Sequence, residues 1–139
     1  MRQSILYVCF MLCVSVFSCQ TKTDNHNFRA VPPEEFNTFL KDSTIQLIDV
    51  RTPKEFKLEH IENAENINFF DEDFFNQISK LNKNKPVYIY CRSGKRSGKS
   101  AAEFKKAGFT QIFNLEGGLL NWKSEGLSIT CNYSFNKKI

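Results

Sequence analysis

The sequence predicts an α/β domain, an open, mainly parallel sheet of about five strands with helices on both faces. Three observations predict it. Short apolar runs alternate with segments of helical periodicity through residues 28–130, the order that packs helices against a parallel sheet. Val87-Tyr-Ile-Tyr90 is apolar at every position, as a strand covered on both faces must be. The length, 139 residues with 41% apolar and 24% charged, suits one globular domain. It excludes a disordered chain, a collagen-like chain and a multi-pass membrane protein.

Each element has its own signal. Phe28–Val31 is a short strand candidate. Pro32 and Pro33 open a helix that sets Phe36, Phe39 and Leu40 on one face, proline being suited to a helix start. Thr44–Val50 reads as a strand ending in polar residues. Thr52-Pro53-Lys54-Glu55 is a capping box with proline at the first helical position. Ala64–Ile67 is another short strand candidate, and Asp71–Leu81 carries Phe74, Phe75, Ile78 and Leu81 at helical spacing. After Val87–Tyr90 comes a tight loop and a helix predicted over Ser97–Ala107, stopped by Gly108. Ile112–Leu115 is a strand candidate, and a Gly117-Gly118 turn leads into a helix over Leu119–Ser124. Fourteen phenylalanines against a single tryptophan predict a Phe-rich core.

The N-terminus reads differently. Arg2 is the only charge before Lys22, and the 13 residues Ile5–Phe17 are apolar except for Ser15. That is short of the about 20 residues a spanning helix needs and fits the apolar region of an export signal. Val16-Phe17-Ser18-Cys19 is similar to the lipobox of bacterial lipoproteins, in which a small residue precedes a cysteine that is lipidated and becomes the new N-terminus. Phe17 is bulkier than that pattern usually carries. The expected organisation is a signal over 1–18, a tether over 19–27 starting at lipidated Cys19, the domain over 28–130 and a polar tail over 131–139. A cleaved secretory signal without lipid, and an uncleaved anchor or cytosolic protein, are the alternatives. A lipid anchor would hold the domain on the envelope, facing the periplasm or the outside, without spanning the bilayer.

Of five cysteines, Cys9 and Cys13 fall in the signal and Cys19 at its end, which leaves Cys91 and Cys131. Two do not make a disulfide framework. Net charge is +4, unevenly spread: seven acids and one lysine lie between Glu55 and Asp73, four cations and no acid between Arg92 and Lys99. The basic run falls on Cys91-Arg92-Ser93-Gly94-Lys95-Arg96-Ser97, between a buried strand and a helix. Sites in open α/β sheets form at the carboxyl ends of strands. Loop N–H groups, the helix dipole and Arg92, Lys95, Arg96 and Lys99 all favour thiolate over thiol and can hold an anionic substrate against the sulfur. Gly94 supplies the backbone freedom of a tight loop. An inert buried cysteine with a solvated basic loop is the competing reading.

Three ordered blocks carry a family resemblance. The first is Leu47-Ile48-Asp49-Val50-Arg51 with Glu55-Phe56, His60-Ile61, Ala64 and Asn66-Ile67. The second is Val87 to Ser97. The third is Gly108-Phe109, Asn114-Leu115-Glu116-Gly117-Gly118, Trp122 and Gly126-Leu127. The chain resembles the single-domain rhodaneses, a sulfurtransferase family, over nearly all of residues 30–130. The first block departs from the family's Gly-His-Ile-x-Gly-Ala…Pro pattern at Glu59, Asn63 and Asn68, in a turn expected near the site.

The resemblance implies that Cys91 is the nucleophile and takes sulfur from an anionic donor such as thiosulfate as a persulfide. Arg92, Ser93, Gly94, Lys95, Arg96 and Ser97 would bind the donor and cradle the persulfide. A thiol, cyanide or a thioredoxin-like protein would accept the sulfur. Asp49, Arg51 and His60 are expected to be structural support rather than catalysts, and Trp122 and the phenylalanines to be core. No cofactor is implied, no metal site is expected because neither histidine has a partner at ligand spacing, and the expected state is a monomer. Cys131 is a bystander or couples to Cys91. A Cys-based phosphatase or arsenate reductase would need five residues between cysteine and arginine, whereas four separate Cys91 from Arg96. A non-catalytic sulfur carrier or partner-binding module remains an alternative, and nucleic-acid binding lacks the interleaved aromatics it would need.

Overall fold

The computed structural model describes residues 27–131. The expected signal, the lipidation at Cys19 and most of the tether lie outside the described residues, as does the tail beyond Cys131. Among the described residues no helix is long and apolar enough to cross a membrane.

Five strands form one sheet: β1 (Asn27–Val31), β2 (Gln46–Asp49), β3 (Glu65–Asn66), β4 (Val87–Tyr90) and β5 (Gln111–Leu115). Their order is β1-β5-β4-β2-β3, and every pairing is parallel. The sheet is thus wholly rather than mainly parallel. The helices are α1 (Pro33–Phe39), α2 (Pro53–Leu58), α3 (Phe74–Ser79), α4 (Lys95–Lys106) and α5 (Gly118–Ser124).

Central strand β4 shows why its sequence is apolar throughout. Val87, Ile89 and then Cys91 face one core with Phe74 and Ile78 of α3 and Phe104 of α4. Tyr88 and Tyr90 face the other core with Phe36 of α1 and Leu119 and Trp122 of α5. Aromatic edges fill both layers: Phe74 meets Phe104 at 5.9 Å and Phe36 meets Tyr88 at 5.5 Å, both near perpendicular, the geometry ring quadrupoles favour. Not every phenylalanine is core, since Phe28, Phe70 and Phe75 are exposed.

Two helices differ from their predicted spans. The helix predicted over Asp71–Leu81 is only Phe74–Ser79. Asp71 Oδ1 accepts the Asp73 N–H, a side-chain turn that competes with the helix start. At the other end Lys80 and Leu81 bond back three residues, to Gln77 and Ile78, which tightens and closes the last turn. The helix predicted from Ser97 instead starts at Lys95, after Gly94 at φ +82°. Lys95, Arg96 and Ser97 are therefore first-turn helix residues, and the connecting loop is Cys91–Gly94 alone.

The sheet also anchors the turn between α2 and β3. The Tyr90 hydroxyl accepts the buried Ile61 N–H at 3.0 Å. Burial, with Asp49 nearby, pushes the phenol well above its ordinary range, so it stays neutral. Tyr90→Phe leaves that N–H without a partner and is expected to cost about 1–3 kcal/mol, read as a lower urea midpoint.

Candidate active site

Cys91 directly follows β4. It is only 1% exposed and lies at a hollow of about 310 Å³ that is also lined by Phe69, Phe70, Arg92, Ser93, Lys95, Arg96 and Lys99. No acid lines the hollow.

The loop is held by its carbonyl groups. The Cys91 carbonyl accepts the Leu119 N–H at 2.9 Å, and the Arg92 carbonyl accepts the Leu120 N–H at 3.0 Å. The Gly94 carbonyl accepts from Gly98 N–H at 3.0 Å, Ser97 Oγ at 3.2 Å and Asn114 Nδ2 at 3.2 Å. A trans peptide sets its N–H opposite its carbonyl, and no described peptide is cis. Tying the Cys91 and Arg92 carbonyls to α5 therefore turns the Arg92 and Ser93 N–H groups away from α5. No described residue accepts a bond from either. Free amides beside a helix start make an anion cradle.

Gly118 makes this approach possible. A Cβ there would lie 2.5 Å from the Cys91 carbonyl oxygen and 2.6 Å from Gly94 N, and its φ is +60°. Asn114 supports the loop from β5. It is buried, and its Oδ1 has no hydrogen-bond partner among the described residues.

The four cations are not equivalent. Arg96 forks onto Glu55, Nη1 to Oε2 at 2.9 Å and Nη2 to Oε1 at 3.3 Å, and its guanidinium lies 5.0 Å from the centre of the Phe70 ring. Arg96 thus lines the hollow while its charge is partly offset by a carboxylate. Glu55 also closes the capping box of α2 with Thr52. Burial pushes the Glu55 carboxyl up, but hydrogen bonds from Arg96 and Thr52 outweigh it and hold it at about 2, against an ordinary 4.5. Arg92, Lys95 and Lys99 have no ion-pair partner among the described residues.

Residues 32–125 match the family described as Rhodanese-like domain. The chain belongs to that family. It is 38% identical over 94 residues to the uncharacterized protein YqhL of Bacillus subtilis, covering 68% of this chain and 71% of that one. It is 32% identical over 96 residues to the probable adenylyltransferase/sulfurtransferase MoeZ of Mycobacterium tuberculosis, covering 68% of this chain but 24% of MoeZ. The tRNA uridine(34) hydroxylase of Pelagibacter ubique is 30% identical over 108 residues, 76% of this chain and 34% of that one. The chain thus spans only about a quarter and a third of the last two proteins. Among solved structures, a rhodanese-like domain protein from Staphylococcus aureus superposes with a TM-score of 0.62 at 32% identity, covering 73% of this chain and 98% of that one.

In this rhodanese-like domain the three residues expected to give support stand outside the Cys91 hollow. Asp49 and Arg51 form a buried pair: Nη2 meets Oδ2 at 2.7 Å and Nε lies 3.0 Å from both carboxylate oxygens. Arg51 Nη2 also donates to the Glu59 carbonyl at 2.6 Å, and Asn66 Nδ2 donates to the carbonyls of Asp49 and Arg51. His60 stacks on Phe56 with centroids 4.0 Å apart, and its Nδ1 lies 2.9 Å from the Phe56 carbonyl. Its backbone exchanges two hydrogen bonds with Thr130. Among the described residues no group of three or more His, Cys, Asp or Glu side chains could hold a metal ion. Cys131 is free and exposed, and lines a neighbouring cleft that shares Arg92 with the hollow.

The departures from the family pattern are accommodated locally. Asn63 has φ +63°, the one positive value at a non-glycine among the described residues, a conformation asparagine tolerates. Asn68 Oδ1 accepts the Phe70 N–H at 3.2 Å and so shapes the turn that presents Phe69 and Phe70. Glu59 pairs with Lys123 at 2.7 Å. Four contributors were not singled out from sequence: Glu55, Asn114, Phe69 and Phe70. Only Glu55, through the capping box, and Asn114, through the third block, carried a sequence signal at all.

Two outcomes follow from this geometry. Gly118→Ala should cost about 2–5 kcal/mol through backbone strain and overlap. Gly126→Ala, also at positive φ but with open space around it, should cost about 1–2 kcal/mol; urea denaturation compares them. The Glu55 carboxylate stabilises fully above pH 4.5 and its contribution is lost as pH falls towards about 2. Glu55→Gln should therefore lower stability by about 1 kcal/mol at neutral pH. The gap to wild type should close between pH 4.5 and about 2, read from urea midpoints across that range.

Proposed function

We propose that this chain is a sulfurtransferase that moves sulfane sulfur from a thiosulfate-like anionic donor to a nucleophilic acceptor through a Cys91 persulfide. The carrying observation is the hollow itself: a thiol at a strand's carboxyl end, lined by cations and no acid. The family membership supports it, as does the sulfurtransferase name of MoeZ for a protein that shares this domain.

In the first half-reaction the Cys91 thiolate attacks the outer sulfur of thiosulfate. The donor's S–S bond breaks, sulfite leaves with the electron pair, and Cys91 carries a terminal sulfur anion. Arg92, Lys95 and Lys99 draw in the doubly charged donor. The Arg92 and Ser93 N–H groups hold the persulfide anion, and Gly94 and Ser97 keep the cradle in shape. In the second half-reaction an acceptor nucleophile attacks the outer sulfur and Cys91 leaves as thiolate. Two covalent half-reactions at one thiol give ping-pong kinetics.

The site of action belongs to the same proposal. A signal ending at a lipidated Cys19 would place the domain on the envelope, where a thiol or a thioredoxin-like protein is the acceptor.

Purified reduced protein incubated with thiosulfate should gain about 32 Da, one sulfur atom, by intact mass. Cyanide should discharge the adduct as thiocyanate, and Cys91→Ser should show neither adduct nor turnover. No uptake by wild type from thiosulfate or polysulfide would reject the proposal.

A further inference from the structure

Every pairing in the sheet is parallel, so its two ends differ in kind. Cys91 follows the carboxyl end of β4, whereas the described chain enters the sheet at Asn27, the amino end of β1. Cys19 precedes Asn27 by eight residues, so its Cα lies within about 28 Å of Asn27 whatever path the chain takes.

Asn27 stands at a basic corner of the domain. Its N–H donates to the Thr110 carbonyl at 2.7 Å, in the turn between α4 and β5. Lys105 and Lys106 form the last turn of α4, just before it. Lys83, in the connection from α3 to β4, brings its Cδ to 3.6 Å from where a Cβ on Gly108 would stand. Lys80 and Lys85 belong to the same connection. Lysines from two neighbouring connections thus gather beside the start of β1. Lys106 pairs with Glu103, and Asp42 lies within electrostatic reach of Lys85. Lys80, Lys83, Lys85 and Lys105 have no ion-pair partner among the described residues.

Phe28 adds an apolar group to this corner and is 40% exposed. Val31 packs in the core with α1 and α5, so strand alternation turns Phe28 to the opposite face. That is the face of α3 and α4, where its register partner Ile112 packs. The ring therefore stands on the lysines' side of the sheet.

Lysines around an exposed aromatic, at the point where a lipid-bearing chain would enter the fold, match the headgroup layer of an anionic bilayer. The ammonium groups meet lipid phosphates and the ring sits at headgroup depth. The Cys91 hollow also carries cations and an exposed Phe70, but it lies at the far end of the sheet from the anchor. We propose that the amino-end corner seats the domain on anionic phospholipid, with the Cys91 hollow turned away from the membrane. This rests on the reading of Cys19 as lipidated, which brings the corner near the bilayer; the lysines and Phe28 then set the orientation. A sulfur acceptor reaches Cys91 from the solvent side.

The test is a lysine footprint. The full chain is produced in bacterial cells, purified with the lipid its Cys19 carries, and placed on vesicles of phosphatidylglycerol or phosphatidylcholine. Lysine acylation is read by peptide mass spectrometry. On phosphatidylglycerol, Lys80, Lys83, Lys85, Lys105 and Lys106 should react at least about threefold more slowly than on phosphatidylcholine, while Lys95 and Lys99 react equally on both. Salt at about 0.5 M should remove the protection. Lys83→Glu with Lys106→Glu should expose Lys80, Lys85 and Lys105, Lys83→Arg with Lys106→Arg should retain their protection, and sulfur uptake by Cys91 should be unchanged in both. Equal reactivity on the two vesicles, or protection of Lys95 and Lys99 instead, overturns the proposal. If intact mass shows no lipid at Cys19, a persisting phosphatidylglycerol footprint supports the surface and removes the anchor alone, whereas a lost footprint overturns both.

Discussion

The carbonyl groups of Cys91 and Arg92 are bound into the first turn of α5, and the rest of the site depends on that contact. Each bond fixes a peptide plane, so two weak interactions set the direction of the amides that follow. The approach requires a residue without a side chain at Gly118, where any Cβ would overlap the loop backbone. The Gly94 carbonyl, held by Gly98, Ser97 and Asn114, completes the arrangement from the other side. The loop therefore presents donors rather than acceptors beside the thiol.

Charge is distributed with the same economy. Arg51 is deeply buried and tied through Nε and Nη2 to Asp49 and the Glu59 carbonyl, so it stiffens the neighbouring turn. Removing one member of such a buried pair leaves an uncompensated charge, which is costly. Arg96 is tied to Glu55 and shielded by Phe70, which joins the start of α2 to the start of α4. At the hollow, Arg92, Lys95 and Lys99 are left without an ion-pair partner among the described residues.

What the sequence disclosed follows from how local each interaction is. The all-apolar β4, the Thr52–Glu55 capping box and the loop between a buried strand and a helix are encoded within a few residues. The start of α4 at Lys95 was hidden because a glycine cap leaves no side-chain signature, and the shortening of α3 because an Asp71 turn outcompetes the helix. The Arg96–Glu55 pair joins residues 41 apart, and the Tyr90–Ile61 bond residues 29 apart. No periodicity reports such contacts. Phe70 reads as core by its chemistry, yet its position beside an engaged guanidinium leaves it on the rim.

The strand order has a temporal meaning. β1 pairs only with β5, so the first of the described strands to be synthesised waits, unpaired, for the last of them. The residues that seize the Cys91 loop come later still, in α5. Long-range pairing of this kind slows folding, and here it also orders it. The surroundings of Cys91 are completed last, and a nascent chain carries its thiol in an unformed cradle until α5 docks.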